Sequence, residues 1–142
     1  MIRQATTKDI SVILELYKKG LEELGCHDWQ ESLLLKKVVN SFYLAPCFLL
    51  ELDEIVGMAG FTTVTTSHNG VATLNDYMFY VLPEHRNIKN LGGLVEGIKS
   101  FADEHMMPLR LEFITNNDEE LRKRVFKLHG FKVCSVVGEY HG

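Results

Sequence analysis

The 142 residues carry a formal net charge of −4, with 46% hydrophobic and 24% charged side chains, proportions ordinary for a chain that folds around its own core. The acidic balance argues against general nucleic-acid binding, which shows as a basic excess, and no apolar run approaches the roughly 18 residues of a membrane helix. Cys26, Cys47 and Cys134 are widely spaced and odd in number, so neither a metal set nor a disulfide framework is expected; with no signal peptide, the expectation is a single cytoplasmic domain over residues 1–142.

The chain opens with a short strand, Ile2 to Ala5, followed by Thr6 and Asp9 at capping-box spacing. Ile10, Ile13, Leu16, Tyr17, Leu21 and Leu24 then recur at helical spacing until Gly25. After a loop holding Cys26, His27, Asp28 and Trp29, a second helix is expected from about Glu31, with Leu35, Val38, Val39 and Phe42 on its apolar stripe and Ala45-Pro46 as its stop. A strand from Cys47 to Leu52, a turn at Asp53-Glu54 and a returning strand from Ile55 to Thr65 make a hairpin. Gly57 and Gly60 weaken the second strand unless a bulge or a close neighbour needs them. Asn69-Gly70 is a hairpin turn signal.

The stretch from Val71 to His105 organises the rest. Leu74 and Tyr77 to Val81 form an aromatic, apolar run suited to a buried strand, which Pro83 ends. Leu94, Val95, Ile98, Phe101 and Ala102 then mark one face of a helix. Between them Glu84 to Gly93 forms a polar, basic loop that feeds a helix N-terminus, where unsatisfied N–H groups and the dipole favour an anion. Arg86 and Lys89 add charge suited to phosphates, and the paired Gly92 and Gly93 point to close backbone approach there. A strand from Leu109 to Thr115 follows, then a helix capped by Asn116-Asn117-Asp118, with Leu121, Val125 and Leu128 as its stripe. Gly130 ends it, and a last strand or strand pair runs from Phe131 to Tyr140.

Val81-Leu82-Pro83-Glu84-His85-Arg86, running from strand to helix, resembles the acetyl-coenzyme A signature of the GCN5-related N-acetyltransferase (GNAT) superfamily. The opening Ile2-Arg3-Gln4-Ala5-Thr6-Thr7-Lys8-Asp9-Ile10, the hairpin from Glu51 to Phe61, and Asn116 followed by a helix ending at Gly130-Phe131 resemble further parts of that pattern, in the family's order. The resemblance implies the α/β (α+β) class: a mixed, mostly antiparallel GNAT sheet with helices on both faces. It also implies direct transfer of an acetyl group from acetyl-CoA, a co-substrate, to a small-molecule or protein amine, without a metal. The phosphate loop of the family is Arg/Gln-x-x-Gly-x-Gly/Ala; counted from Arg86, its glycine positions hold Lys89 and Leu91, with Gly92 and Gly93 just after.

By the same match the Val81 N–H would polarise the thioester carbonyl, Asn116 would contact the pantetheine arm, and Arg86, Lys89, Leu91, Gly92 and Gly93 would line the phosphate site. Candidate groups for proton transfer are Asp76 on the central strand, Glu112 on its neighbour and Tyr140 near the chain's end. The family's thiolate-protonating tyrosine falls on Phe126, which has no proton to give. That departure, with Lys89 and Leu91, keeps open a second reading: a GNAT-like binding or interaction protein of weak or no turnover. Exposed strand edges of this fold further suggest a homodimer.

Overall fold

The computed structural model describes residues 1–65, 67–112 and 119–132. Among these residues, five strands lie side by side in chain order: β1 (Ile2–Gln4), β2 (Cys47–Glu51), β3 (Ile55–Thr65), β4 (Ala72–Val81) and β5 (Leu109–Arg110). The first three pairings are antiparallel and the fourth is parallel. A parallel neighbour needs a crossover, and the helix from Ile88 to Glu104, α3 below, supplies it.

Both faces are covered. On one side α1 (Ile10–Glu23) and α2 (Glu31–Leu44) pack on Leu49, Met58, Met78 and Tyr80 through Ile13, Leu16, Leu34 and Val38. On the other, α3 (Ile88–Glu104) and α4 (Glu119–Leu128) bury Leu91, Leu94, Ile98 and Val125 against Phe61, Phe79 and Val81. Double coverage explains why β2, Cys-Phe-Leu-Leu-Glu, reads as a continuous apolar run rather than an alternation. Gly25 and Gly70, with φ of 80° and 67°, take the left-handed conformations that end α1 and turn the β3–β4 hairpin.

The mixed sheet and two-sided helices match the expected architecture. The stripe on α2 differs: Leu34, Val38 and Ser41 are buried, while Leu35 is exposed. Three consecutive leucines, Leu33 to Leu35, leave the helical phase open, and the i, i+4, i+7 set beginning at Leu34 wins the core. Strand β5 is assigned only at Leu109–Arg110; the expected continuation through Thr115, the cap at Asn116 to Asp118 and most of the last strand, from residue 133 on, lie outside the described residues.

Gly60 answers to a bulge and a close neighbour together. The β3–β4 register shifts between Gly60 and Phe61, so that Gly60 pairs with Met78 and Phe61 with Asp76, leaving Tyr77 as the extra residue. A Cβ on Gly60 would stand 2.4 Å from the Tyr77 ring. The phenol lies over that bare backbone, edge-on to Tyr17 at 5.3 Å between centroids.

The first helical turn is tied to the sheet by charge. Thr6 and Asp9 form the expected capping box on the 3-10 turn leading into α1, and Arg3 donates two hydrogen bonds to Asp9, at 2.8 and 2.9 Å, and one to Glu51 at 2.7 Å. The guanidinium hydrogen bonds, helped by the Thr6 N–H, hold the Asp9 carboxyl down at about 2. A depressed folded-state pKa gives stability that is complete above the unfolded value near 4 and is lost as pH falls toward 2. Asp9→Asn is therefore expected to cost about 1.5 kcal/mol at neutral pH. Urea titrations of both proteins at steps from pH 6 to pH 2 should show that difference shrinking through this window; a constant difference would mean the carboxylate charge is not involved.

Candidate functional site

The site is built where β4 hands over to α3. Leu82 donates its N–H to Val56 across the hairpin at 2.9 Å. By the alternation of an antiparallel ladder, the N–H and C=O of Val81 therefore point the other way, toward the β5 side. Pro83 opens a 3-10 turn, Pro83–His85, and Asn87 caps α3, its Oδ1 accepting the Asn90 N–H at 2.8 Å. Asn90 in turn donates its side-chain N–H to the His85 carbonyl at 2.7 Å, which pins the turn to the helix. The Leu91 N–H already reaches Asn87 O at 3.0 Å. Helix geometry thus leaves the Ile88 and Lys89 amides as first-turn donors aimed outward at the positive end of the dipole.

The structure distributes the sequence-derived site residues unevenly. Lys89 is exposed beside those amides and suits an anion. Leu91 is 1% exposed, a core residue of α3. Gly92 and Gly93 are the fifth and sixth residues of α3 rather than part of a loop before it. A Cβ on Gly92 would meet His129 Nε2 at 2.7 Å and one on Gly93 would meet Ile2 at 3.2 Å. Those two glycines let α4 and β1 approach α3, a close approach of another kind from the one expected. His129 is itself held there, its Nδ1 at 2.5 Å from Glu96 Oε1 and its carbonyl accepting from Lys99 at 2.8 Å.

Arg86 faces inward. Its side chain is 5% exposed, and it forms a fork with Glu23, the last residue of α1, with 2.6 Å from Nη1 to Oε1 and a second contact from Nη2 to Oε2. Its Nε donates to the Val81 carbonyl at 2.7 Å, and the guanidinium stacks over Tyr80, 5.2 Å from the ring centroid. Such a guanidinium could meet a phosphate only by releasing Glu23, so its place is that of a strut between strand, loop and α1. Sequence spacing carries no sign of this partner, which lies 63 residues away.

Between β4 and β5 the described pairing consists of Leu74 with Leu109 and Asn75 with Arg110. At the position of the next rung, Glu112 donates its N–H to Asp76 Oδ1 at 2.9 Å. Asp76 is 8% exposed, and this bond gives its carboxylate a structural task at the mouth of the parallel pair. Glu112 itself is exposed. The neighbour of Asp76 on β4, Asn75, carries a feature that sequence reasoning missed: its Oδ1 is buried without a hydrogen-bond partner, the one such side-chain atom among the described residues. An oxygen left so costs about 1 to 3 kcal/mol. Tyr140 and Asn116 lie outside the described residues. Phe126 packs on Phe131 at 5.5 Å between ring centroids, an apolar contact on the α3–α4 side.

A cavity of about 410 Å³ lies on the α1–α2 side of the junction, between α1, the start of α2, the β2–β3 turn and Leu82. Glu15, Glu31 and Glu54 outnumber Lys19 in its wall and disfavour a polyphosphate. No cluster of His, Cys, Asp and Glu suited to a metal occurs among the described residues, and no helix among them is long and apolar enough to cross a membrane.

The strut makes a specific demand on side-chain shape. Arg86→Lys keeps the charge but loses the fork and the stacking, and Glu23→Ala leaves a buried guanidinium without its carboxylate. The first is expected to lower the melting temperature by several degrees and the second by about 10 °C, the equivalent of roughly 3 kcal/mol. Calorimetry of the two variants checks this; an unchanged melting temperature for Arg86→Lys would return Arg86 to the role of a simple surface charge.

No protein-family model matches the chain, and no curated protein sequence matches it significantly. Solved structures do match. The aminoglycoside acetyltransferase AAC(6')-Iy, solved with a coenzyme A bisubstrate analogue of acetylneamine, is 15% identical with a TM-score of 0.76 over 100% of this chain and 97% of that one. A Clostridium acetobutylicum protein described as a predicted acetyltransferase, solved with acetyl-CoA, is 20% identical with a TM-score of 0.74 over 99% and 95%. The 6'-N-acetyltransferase AAC(6')-IG from Acinetobacter haemolyticus is 17% identical, with a TM-score of 0.71 over 100% and 97%. The chain thus superposes over nearly its whole length on these acetyltransferases of known structure, and it has the GNAT fold.

Proposed function

We propose that this chain is an N-acetyltransferase that moves an acetyl group directly from acetyl-CoA to an amine. The observation that carries this reading is the junction of β4 and α3: outward amides of Ile88 and Lys89, directly after a strand end whose Val81 peptide faces the β5 side. This junction stands in a fold whose similar structures include some solved with coenzyme A or acetyl-CoA. The pyrophosphate would sit on the first turn of α3 with Lys89 beside it, and the pantetheine arm would run along β4. The Val81 N–H polarises the thioester carbonyl as charge develops on its oxygen.

In the transfer, the neutral amine nitrogen attacks the carbonyl carbon. The tetrahedral intermediate collapses with cleavage of the carbon–sulfur bond, coenzyme A leaves as thiolate, and the nitrogen gives up a proton. Glu112, exposed at the end of the β5 segment, is the better placed of the two described carboxylates to take it, since Asp76 already accepts the Glu112 N–H. Asn116 toward the pantetheine and Tyr140 as proton donor remain parts of the proposal. A small-molecule amine fits the aminoglycoside enzymes among the similar structures, and a cytoplasmic homodimer goes with the same reading.

Two observations favour the second reading, a binding protein without efficient turnover. Phe126 stands at the tyrosine position as part of the apolar contact with Phe131, and Leu91, at a loop-glycine position, is core. The two readings part on turnover, and both are tested first by the ligand. Acetyl-CoA at about a hundred times its dissociation constant should add roughly 2.7 kcal/mol, a rise on the order of 10 °C in melting temperature. The rise should saturate, and it should shrink both with added salt and in Lys89→Ala. No shift at millimolar acetyl-CoA would sink the transferase reading. A saturable shift with no thiol release on any amine would leave the binding protein.

A further inference from the structure

The cavity between α1, the start of α2 and the β2–β3 turn is not needed for the transfer. Its volume of about 410 Å³ falls in the range of small-molecule pockets, roughly 300 to 1,000 Å³. Part of its wall is apolar, and Val12, Ile55 and Leu82 keep some of their surface open to solvent. Glu15, Glu31 and Glu54 stand around that wall on three different elements, all of them exposed, with Lys19 as the one basic residue of the lining. The fold already seats an ammonium at this edge: Lys18 reaches Glu15 Oε1 at 3.1 Å and contacts Glu31 Oε1 as well, tying α1 to α2. It engages one oxygen of each carboxylate, and Glu54 forms no ion pair among the described residues.

This combination selects among ligands. A hard metal ion needs several oxygens converging on one point, and the described residues form no such cluster. An anion meets the carboxylates at an unfavourable sign. A methylene chain that carries ammonium groups satisfies both kinds of surface, much as a lysine lays its stem on apolar neighbours and keeps its charge in water. We propose that this groove binds an aliphatic polyammonium ion, its methylenes on Val12, Ile55 and Leu82 and its ammonium groups toward Glu54 and the Glu15–Glu31 pair. Leu82 brings the groove beside the junction of β4 and α3, but the β2–β3 turn in its wall lies on the β3 side of β4, opposite β5. The inference therefore goes beyond the acetyltransferase reading and stands without it.

The test is isothermal titration calorimetry of the coenzyme-free protein at constant ionic strength, with spermidine, 1,8-diaminooctane and magnesium ion as probes. One spermidine should bind per chain, with a dissociation constant on the order of 1 mM or tighter. Diaminooctane should bind at least tenfold more tightly than magnesium ion, which has the same charge and no methylenes. Glu54→Gln should weaken spermidine about threefold, the size of one exposed ion pair, and Glu54→Lys at least tenfold. Glu104→Lys, an equal change of charge on an exposed residue at the far end of α3, should leave the constant within twofold. Absence of saturable spermidine binding, or magnesium binding equal to that of diaminooctane, overturns the proposal. So does equal weakening by Glu54→Lys and Glu104→Lys, which would show general attraction to an acidic protein, or binding indifferent to Glu54→Lys, which would put the amine elsewhere. Because no coenzyme is present, failure of acetyl transfer leaves each of these outcomes intact.

Discussion

The guanidinium of Arg86 is the contact on which the arrangement of the site depends. It is nearly sealed from water and reaches three parts of the chain at once: the carboxylate ending α1, the carbonyl ending β4 and the ring of Tyr80. Buried charge of this kind is stable only when nearly every donor is used, and the fork with Glu23 plus the Val81 carbonyl uses Nε, Nη1 and Nη2 together. The consequence reaches function through geometry. The Val81 carbonyl cannot rotate away from Arg86, so the strand end keeps its direction, and the turn that follows delivers Asn87 to cap α3. On the other side, the same fork fixes the end of α1, from which the Cys26–Gln30 loop departs. The turn into α3 and the end of α1 are thus referred to one buried charge.

A second constraint acts in the middle of the sheet. The bulge at Tyr77 changes which side chains of β4 face which layer: Leu74 joins the α3 side before it, and Phe79 and Val81 join that side after it. Without the extra residue a strict period of two could not place both sets in one core. The shift also lets Tyr77 and Met78, adjacent in sequence, both serve the α1–α2 layer. Gly60 is what admits it, since any side chain there would collide with the phenol.

These devices divide what was legible in the sequence from what was not. The elements, their order and the mixed sheet followed from periodicity and turn residues, because those signals are local: Asn69-Gly70, the Thr6–Asp9 box and Gly25 act within a few residues of themselves. Roles in the site depended on partners distant in sequence. Arg86 looked like a phosphate ligand because it is a cation in a polar loop, and nothing near it announces Glu23. Gly92 and Gly93 looked like loop glycines because helices seldom keep two; the reason they are kept is His129 on one side and Ile2 on the other. The phase of α2 was lost for a simpler reason, three leucines in a row. Asn75 gave no signal at all, since an amide in a strand is unremarkable until its oxygen is found without a donor.

The departure from the family's loop pattern looks different once these placements are known. A glycine-rich loop wraps a pyrophosphate by bringing several amides close without side chains. Here the helix begins at Ile88, so Leu91 belongs to the core and the amides of Gly92 and Gly93 fall inside the helical ladder. What remains for a phosphate is two first-turn amides, the dipole and the lysine at the second helical position. Charge can offset some of the lost cradle, because an exposed ammonium beside a helix N-terminus attracts a polyphosphate over several ångströms. Binding built this way leans on electrostatics more than on shape, and so weakens with salt more steeply than a full glycine cradle would. Under the acetyltransferase reading proposed above, a coenzyme held mainly by charge would leave the geometry fixed by Arg86 and Glu23 to supply more of the precision that direct transfer demands.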